Sequence, residues 1–230
     1  AIPSGSGKSS SHGSERPLAV NVGILGGTFD PVHLGHLSIA HAAMDQASLE
    51  RVLFIPAGQP RLKRTEPSAS VDHRLEMVRL AIEGIEGNPR FEVWDIEAHR
   101  PGPTYTVDTL VELATKLGPT AELFFILGMD VLGQFDRWKD PERVLELCRL
   151  LVLDRPGEQG FDWSGFYRRM PGGEGRVQIV TAPPVDVSAT ELRRRASAGE
   201  LLAAQTPDAV AGYIREQGLY LTTKEKRAAS

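Results

Sequence analysis

Gly23-Ile24-Leu25-Gly26-Gly27-Thr28-Phe29-Asp30-Pro31-Val32-His33-Leu34-Gly35-His36 is the densest signal in the chain. It continues the apolar run Leu18–Leu25, which reads as a strand, and it opens a helical pattern at 34–48. Gly26 and Gly27 let backbone approach a ligand with no Cβ in the way. A helix start offers N–H groups and the positive end of a dipole, which together suit phosphate. His33 and His36 lie three residues apart, so both imidazoles can face one side of the first turn. Gly35 between them is expected to leave room for a bulky polyphosphate. Negative charge beside an imidazole favours its protonated form, so a bound anion would itself turn the pair into a better cation.

Two other readings of the pair stand beside this one. Histidines at i, i+3 can chelate a metal, but no third Cys, Asp or Glu lies at a suitable local spacing, and His41 falls on a different face. Either ring could also be a structural residue satisfied by its neighbours. Two of them flanking a glycine, behind a Gly-Gly turn that ends a strand, favour the anion site.

Outward from this stretch, short apolar runs alternate with helical patterns. Leu18–Leu25, Arg51–Pro56, Arg90–Trp94, Glu122–Leu127, Arg149–Leu153 and Val177–Thr181 read as strands, several of them apolar throughout, as strands covered on both faces are. Helical patterns fall at 34–48, 71–84, 106–117 and 141–147. Strand and helix in alternation predict an α/β fold with a parallel sheet and right-handed crossovers. Ligands of such sheets bind at the carboxyl ends of the strands, where the strand order reverses.

After the sixth strand, Ala182-Pro183-Pro184 breaks the chain, and helical patterns follow at 189–198 and 207–217. Ser188, with Glu191 three residues on, forms a capping box for the first of these. Residues 1–17 are rich in Ser and Gly and read as a flexible tail, and a polar tail occupies 223–230. Gly5-Ser6-Gly7-Lys8-Ser9 looks like part of a phosphate loop, but Ile2 stands where that motif needs its first Gly, and no strand precedes it. The domain plan is therefore a main domain over 18–184 and a helical part over 185–222.

Composition narrows the classes further. With 230 residues, of which 41% are hydrophobic, the chain can build a full core, and 23 Gly with 16 Pro is too few for a low-complexity polymer. A net charge of −4 gives no global handle for nucleic acid. One cysteine, Cys148, excludes a disulfide framework and lies in an apolar run, where a buried inert thiol is expected. No run of some 18 to 20 apolar residues is present to span a bilayer, so a cytoplasmic protein with no membrane partner is expected. The sequence leaves open whether copies associate.

The signature from Gly26 to His36 resembles that of the HxGH nucleotidyltransferase superfamily, and the stretch from Leu18 to Thr222 resembles the bacterial nicotinate mononucleotide adenylyltransferases within it. The resemblance implies a Rossmann-like, doubly wound parallel sheet with a small C-terminal helical part that completes the ATP site. It also implies ATP and nicotinate mononucleotide as substrates, Mg²⁺ accompanying ATP, and pyrophosphate as product. No dedicated protein ligand for the metal is expected, because Mg²⁺ is held mainly by phosphates and water.

Residue by residue, the resemblance puts His33, His36, Lys63 and Arg193 at the catalytic positions. It puts Gly26, Gly27, Thr28, Phe29, His36, Gly128, Asp130, Ser188, Thr190 and Arg193 around ATP. Thr104, Tyr105 and Thr106 match the segment that holds the nicotinate carboxylate, and Trp138 falls where an aromatic stacks on the pyridine ring. Where the family usually continues Pro-His-Lys after its second strand, this chain reads Arg61-Leu62-Lys63, which keeps the basic position and lacks the histidine. The alternatives are a related enzyme with another acceptor, such as nicotinamide mononucleotide or phosphopantetheine, and a nucleotide sensor without turnover.

Overall fold

A computed structural model describes residues 19–58, 68–85, 90–154 and 160–221. Each apolar run forms a strand: β1 (Val20–Gly27), β2 (Arg51–Pro56), β3 (Phe91–Val93), β4 (Ala121–Gly128), β5 (Cys148–Asp154) and β6 (Val177–Thr181). All five pairings are parallel, and the spatial order is β3-β2-β1-β4-β5-β6. That is the doubly wound, Rossmann-like order, which reverses direction at β1 and so places the expected site beside the carboxyl end of that strand.

The helices are α1 (Leu34–Gln46), α2 (Val71–Glu83), α3 (Thr106–Leu117), α4 (Met129–Leu132), α5 (Pro141–Leu147), α6 (Trp163–Arg169), α7 (Ala189–Ser197) and α8 (Asp208–Glu216). Helical periodicity foretells all of them except α4 and α6. Helix α4 is only four residues long, too short to show a period. Helix α6 is started by Asp162, which accepts from the Gly165 N–H at 2.8 Å, and it packs Phe166 into the core.

Alternate residues of each strand point to opposite faces and build two cores. On one face Phe54 of β2, Phe124 and Ile126 of β4, and Leu151 and Leu153 of β5 pack with Ala40, Ala43 and Met44 of α1 and Met77, Val78 and Ala81 of α2. Leu192 and Ala196 of α7 and Val210 and Ile214 of α8 belong to this same core, so the C-terminal helices close over the sheet. On the other face Val22 and Ile24 of β1, Leu53 and Ile55 of β2, and Leu150 and Val152 of β5 pack with Leu110 and Leu113 of α3, Val144 and Leu145 of α5, and Phe166 of α6.

At the outer strand β6, the Gln46 side chain accepts from the Thr181 N–H at 3.1 Å and donates to the Thr181 carbonyl at 2.7 Å. Gln178 returns a bond to the Gln46 carbonyl at 3.0 Å. Among the described residues no helix is long and apolar enough to cross a membrane.

Cys148 opens β5 and is buried, as expected, with its thiol donating to the Val144 carbonyl. Burial pushes this thiol up to about 12. The unfolded chain releases the proton first, so the contribution is intact below the ordinary thiol value and declines as pH climbs toward 12. In urea titrations, wild type is therefore expected to lose more stability than Cys148→Ala between pH 8 and 11, and equal losses would contradict this. Alkylation of the native protein at pH 8 should be slow compared with the urea-unfolded chain.

Candidate functional site

Helix α1 begins at His33, whose backbone is extended, and His36 three residues on returns its Nδ1 to the His33 N–H at 3.2 Å. With Nδ1 accepting, the neutral His36 ring carries its proton on Nε2, the nitrogen that can donate to a ligand. The two imidazoles stack with centroids 3.8 Å apart, and Phe29 meets the His36 ring edge-on at 5.0 Å. Phe29 itself has a left-handed backbone, φ 50°, rare for a bulky residue, and its ring is buried.

The glycines divide the work differently from the expectation. A Cβ at Gly35 would lie 3.1 Å from the His33 ring and 3.3 Å from Val187. The room there is thus filled by protein, and Gly35 serves the histidine stack rather than a polyphosphate. A Cβ at Gly27 would press on the Phe29 ring at 3.0 to 3.2 Å. Only Gly26 is exposed with nothing nearer than the Phe125 ring at 3.7 Å, which leaves its surface open to a ligand.

The segment after β1 is held from several directions. The Asp30 carboxylate, only 5% exposed, accepts from the N–H groups of Ser68 and Ala69 at 2.8 and 3.1 Å and from the Tyr220 hydroxyl at 2.8 Å. Burial, reinforced by the Asp30 charge and hydrogen bond, holds the Tyr220 phenol well above its ordinary value, so it stays a donor. Arg193 of α7 donates to the Asp30 carbonyl at 2.7 Å. Thr206 donates to the Val32 carbonyl at 2.9 Å, and the Leu34 N–H donates to the Gln205 carbonyl at 3.1 Å. Arg74 of α2 is fully buried and donates to the carbonyls of Thr28, Gly58 and Ala69. Burial lowers its pKa from the ordinary value, while Asp30 and Tyr220 act in the opposite direction.

A cleft of about 850 Å³ opens between the start of α1, the end of β5, the 182–187 linker and the start of α7. It brings together Thr28, Phe29, His33, His36, Ser188, Thr190 and Arg193 from the expected set, with Gly35 and Asp154 on its wall. Ser188 caps α7, its hydroxyl accepting from the Glu191 N–H at 3.2 Å. The return half of the expected capping box is absent, because the Glu191 carboxylate pairs with Arg194 at 2.7 Å instead. The Thr190 hydroxyl accepts from Arg193 at 3.3 Å. Imidazoles, a guanidinium and two helix starts in one cleft can bind a polyanion.

The remaining expected residues lie outside this cleft. Gly26 faces the opposite side of the sheet through Phe125, which Trp138 meets edge-on at 5.7 Å. Trp138 also packs on Phe135, and its indole N–H has no hydrogen-bond partner among the described residues. Thr104, Tyr105 and Thr106 lead into α3, with Tyr105 as its first flanking residue. Lys139 lies over the Tyr105 ring at 4.6 Å and pairs with Asp108 at 2.9 Å. Gly128 ends β4 and pairs in register with Leu153, a wall of the cleft. Asp130 does not cap α4; it lies in the first turn, its carboxylate folded over Gly128, where a Cβ would be 2.4 Å away. Lys63, with Arg61 and Leu62, lies outside the described residues. Among the described residues no three His, Cys, Asp or Glu side chains converge to hold a metal.

No local sequence pattern gives Asp30, Thr206 or Tyr220 a separate role. Asp30 stood inside the quoted signature, but its partner Tyr220 is 190 residues away, beyond any local pattern.

Comparison with known proteins identifies the family. The model of the family described as cytidylyltransferase-like matches residues 24–195. A protein of Roseiflexus sp. is 44% identical over 199 residues, covering 86% of this chain and 97% of its own. One from Dehalococcoides mccartyi is 41% identical over 203 residues, covering 88% and 98%. Both carry the name probable nicotinate-nucleotide adenylyltransferase. Among solved structures, Plasmodium falciparum nicotinic acid mononucleotide adenylyltransferase complexed with NaAD superposes with a TM-score of 0.70, at 19% identity, over 87% of this chain and 97% of that one. At that identity the likeness concerns the fold.

Arg74 gives the frame of the site a direct test. Arg74→Leu strips the donors from three carbonyls, of Thr28, Gly58 and Ala69, and is expected to cost about 1–3 kcal/mol in chemical denaturation. An unchanged midpoint would mean that those carbonyls find other donors.

Proposed function

The chain belongs to the cytidylyltransferase-like family and, within it, to the nicotinate-nucleotide adenylyltransferases, and on that premise we propose that it transfers the adenylyl group of ATP to nicotinate mononucleotide. The products are deamido-NAD (nicotinate adenine dinucleotide) and pyrophosphate, a step of NAD biosynthesis. The observation that carries the reading is the stacked His33 and His36 at the start of α1, lining one cleft with Arg193.

The reaction needs no enzyme nucleophile. An oxygen of the mononucleotide 5′-phosphate attacks the α-phosphorus of ATP, and the bond from that phosphorus to the bridging oxygen breaks as pyrophosphate leaves in line. The protein has to align the two phosphates and supply positive charge where the leaving group gains negative charge. His36 Nε2–H, His33, the start of α1 and Arg193 fit that task, and Lys63 is assigned to it by its sequence position alone. Ser188 and Thr190 at the start of α7 would bind the outer phosphates, so that the 185–222 part completes the ATP site begun by the 18–184 domain. Thr28 and Phe29 line the cleft for the nucleotide, and Gly26, Gly27, Gly128 and Asp130 are assigned to it by sequence position, the last two toward the adenosine.

The acceptor would lie on the side of the sheet that Gly26 faces. Backbone amides at the start of α3, from Thr104 through Thr106, suit a carboxylate, and the Trp138 ring offers a face for the pyridine. The cleft wall carries two imidazoles and a guanidinium beside the carboxylates of Asp30, Asp154 and Asp186; Asp30 is taken up by its own donors, and Mg²⁺ would be held mainly by the triphosphate and water. Bound there, Mg²⁺ would neutralise phosphate charge and ease pyrophosphate departure. A cytoplasmic location goes with this reading, because both substrates are charged phosphates that do not cross a bilayer unaided.

The test is pyrophosphate release from Mg²⁺-ATP with nicotinate mononucleotide, nicotinamide mononucleotide or phosphopantetheine in parallel. Strong preference for the nicotinate acceptor is expected; comparable use of both mononucleotides would overturn the specificity, and no release with any would leave a nucleotide-binding protein without turnover. His36→Ala should lower kcat by about 10²–10³-fold, the scale for loss of one transition-state donor, with little change in acceptor KM. An unchanged kcat with a raised acceptor KM would remove His36 from this role.

A further inference from the structure

The histidines that carry the proposed chemistry are gripped from behind by the C-terminal part of the chain. His33 stands between Val32, whose carbonyl accepts from the Thr206 hydroxyl at 2.9 Å, and Leu34, whose N–H donates to the Gln205 carbonyl at 3.1 Å. Thr206 is 2% exposed and bonds a carbonyl 174 residues away in sequence. Two residues before Val32, the Asp30 carboxylate accepts from Tyr220 at 2.8 Å, and the carbonyl of the same residue accepts from Arg193. Four hydrogen bonds to three residues, Asp30, Val32 and Leu34, thus hold the turn that presents His33 and His36.

Neither Thr206 nor Tyr220 lines the cleft. Their side chains are nevertheless polar groups spent on a backbone carbonyl and a buried carboxylate, which makes them expensive to replace and directional in what they hold. The bond of His36 Nδ1 to the His33 N–H depends on the same turn, because it closes only when residue 33 keeps its extended backbone.

We propose that Thr206 and Tyr220 are positioning residues for the His33–His36 pair, acting through the Val32 carbonyl and the Asp30 carboxylate. Losing either hydroxyl leaves Ser188, Thr190 and Arg193 in place but lets the imidazoles depart from the line of the leaving group. A misplacement of this kind, remote from the chemistry, lowers turnover far more than affinity. The proposal rests on the adenylyl-transfer reading for its kinetic consequence and on the geometry alone for its structural one.

The experiment compares wild type with Thr206→Val, Thr206→Ser and Tyr220→Phe. Thr206→Val keeps the shape and removes the donor, Thr206→Ser keeps the donor, and Tyr220→Phe is the second route if the first variant fails to fold. Turnover is followed as pyrophosphate release, and the histidine rings by ¹⁵N imidazole signals of the protein without substrate, which report whether Nδ1 of His36 still accepts. Expected are a fall of roughly ten- to a hundredfold in kcat for Thr206→Val and Tyr220→Phe with KM for both substrates within about threefold, altered His36 imidazole signals, and recovery of both in Thr206→Ser. Unaltered imidazole signals in folded Thr206→Val and Tyr220→Phe would overturn the proposal, as would a Thr206→Ser variant as slow as Thr206→Val. If wild type itself shows no turnover with any acceptor, the reaction reading fails, while the imidazole signals still decide the positioning claim.

Discussion

Taking a carboxylate out of water costs several kcal/mol unless its oxygens are occupied, and Asp30 satisfies that demand with groups drawn from distant parts of the chain. Two amides come from the approach to α2, a hydroxyl from the last described turn, and the nearest guanidinium nitrogen, on Arg193, stays 3.9 Å from the carboxylate. The three direct donors are neutral dipoles, and the guanidinium of Arg193 adds a longer ion pair. The segment between β1 and α1 is thus held at once by the approach to α2, by α7 and by the C-terminal turn.

The neighbouring Gly26-Gly27 pair shows how strand alternation is used at that point. Residues adjacent along β1 look to opposite faces, so Gly26 opens toward Phe125 and Trp138 while Gly27 accepts the Phe29 ring that backs His36. The strand end thereby separates a polar cleft from an aromatic cluster by the thickness of a single backbone.

The sheet was legible because its strands are covered on both sides and hence apolar without interruption, as Val52 to Ile55 and Leu150 to Leu153 are. The cleft was legible in part, since His33, His36 and the start of α1 are contiguous, and Ser188, Thr190 and Arg193 fall within one and a half turns of α7. What resisted reading were contacts whose partners are remote or interchangeable. Gly35 looked like space for a ligand and holds an imidazole; Glu191 looked like half of a cap and chose Arg194 as a nearer charge. Arg74, in an otherwise ordinary amphipathic helix, gave no sign that its guanidinium would be buried on three carbonyls.

The amide of Gln46 carries one donor and one acceptor at the spacing of a peptide group, and it meets both backbone groups of Thr181. To the outer margin of the sheet it is a counterfeit strand one residue long. A row of open backbone groups invites another chain to add itself and, repeated, to polymerise. Here the row is interrupted where β6 gives way to the linker toward α7, so a misregistered or foreign strand would have to displace a side chain tethered to its own helix. A single glutamine in α1 thus occupies backbone groups that an added strand would need, at the margin of the sheet opposite β3.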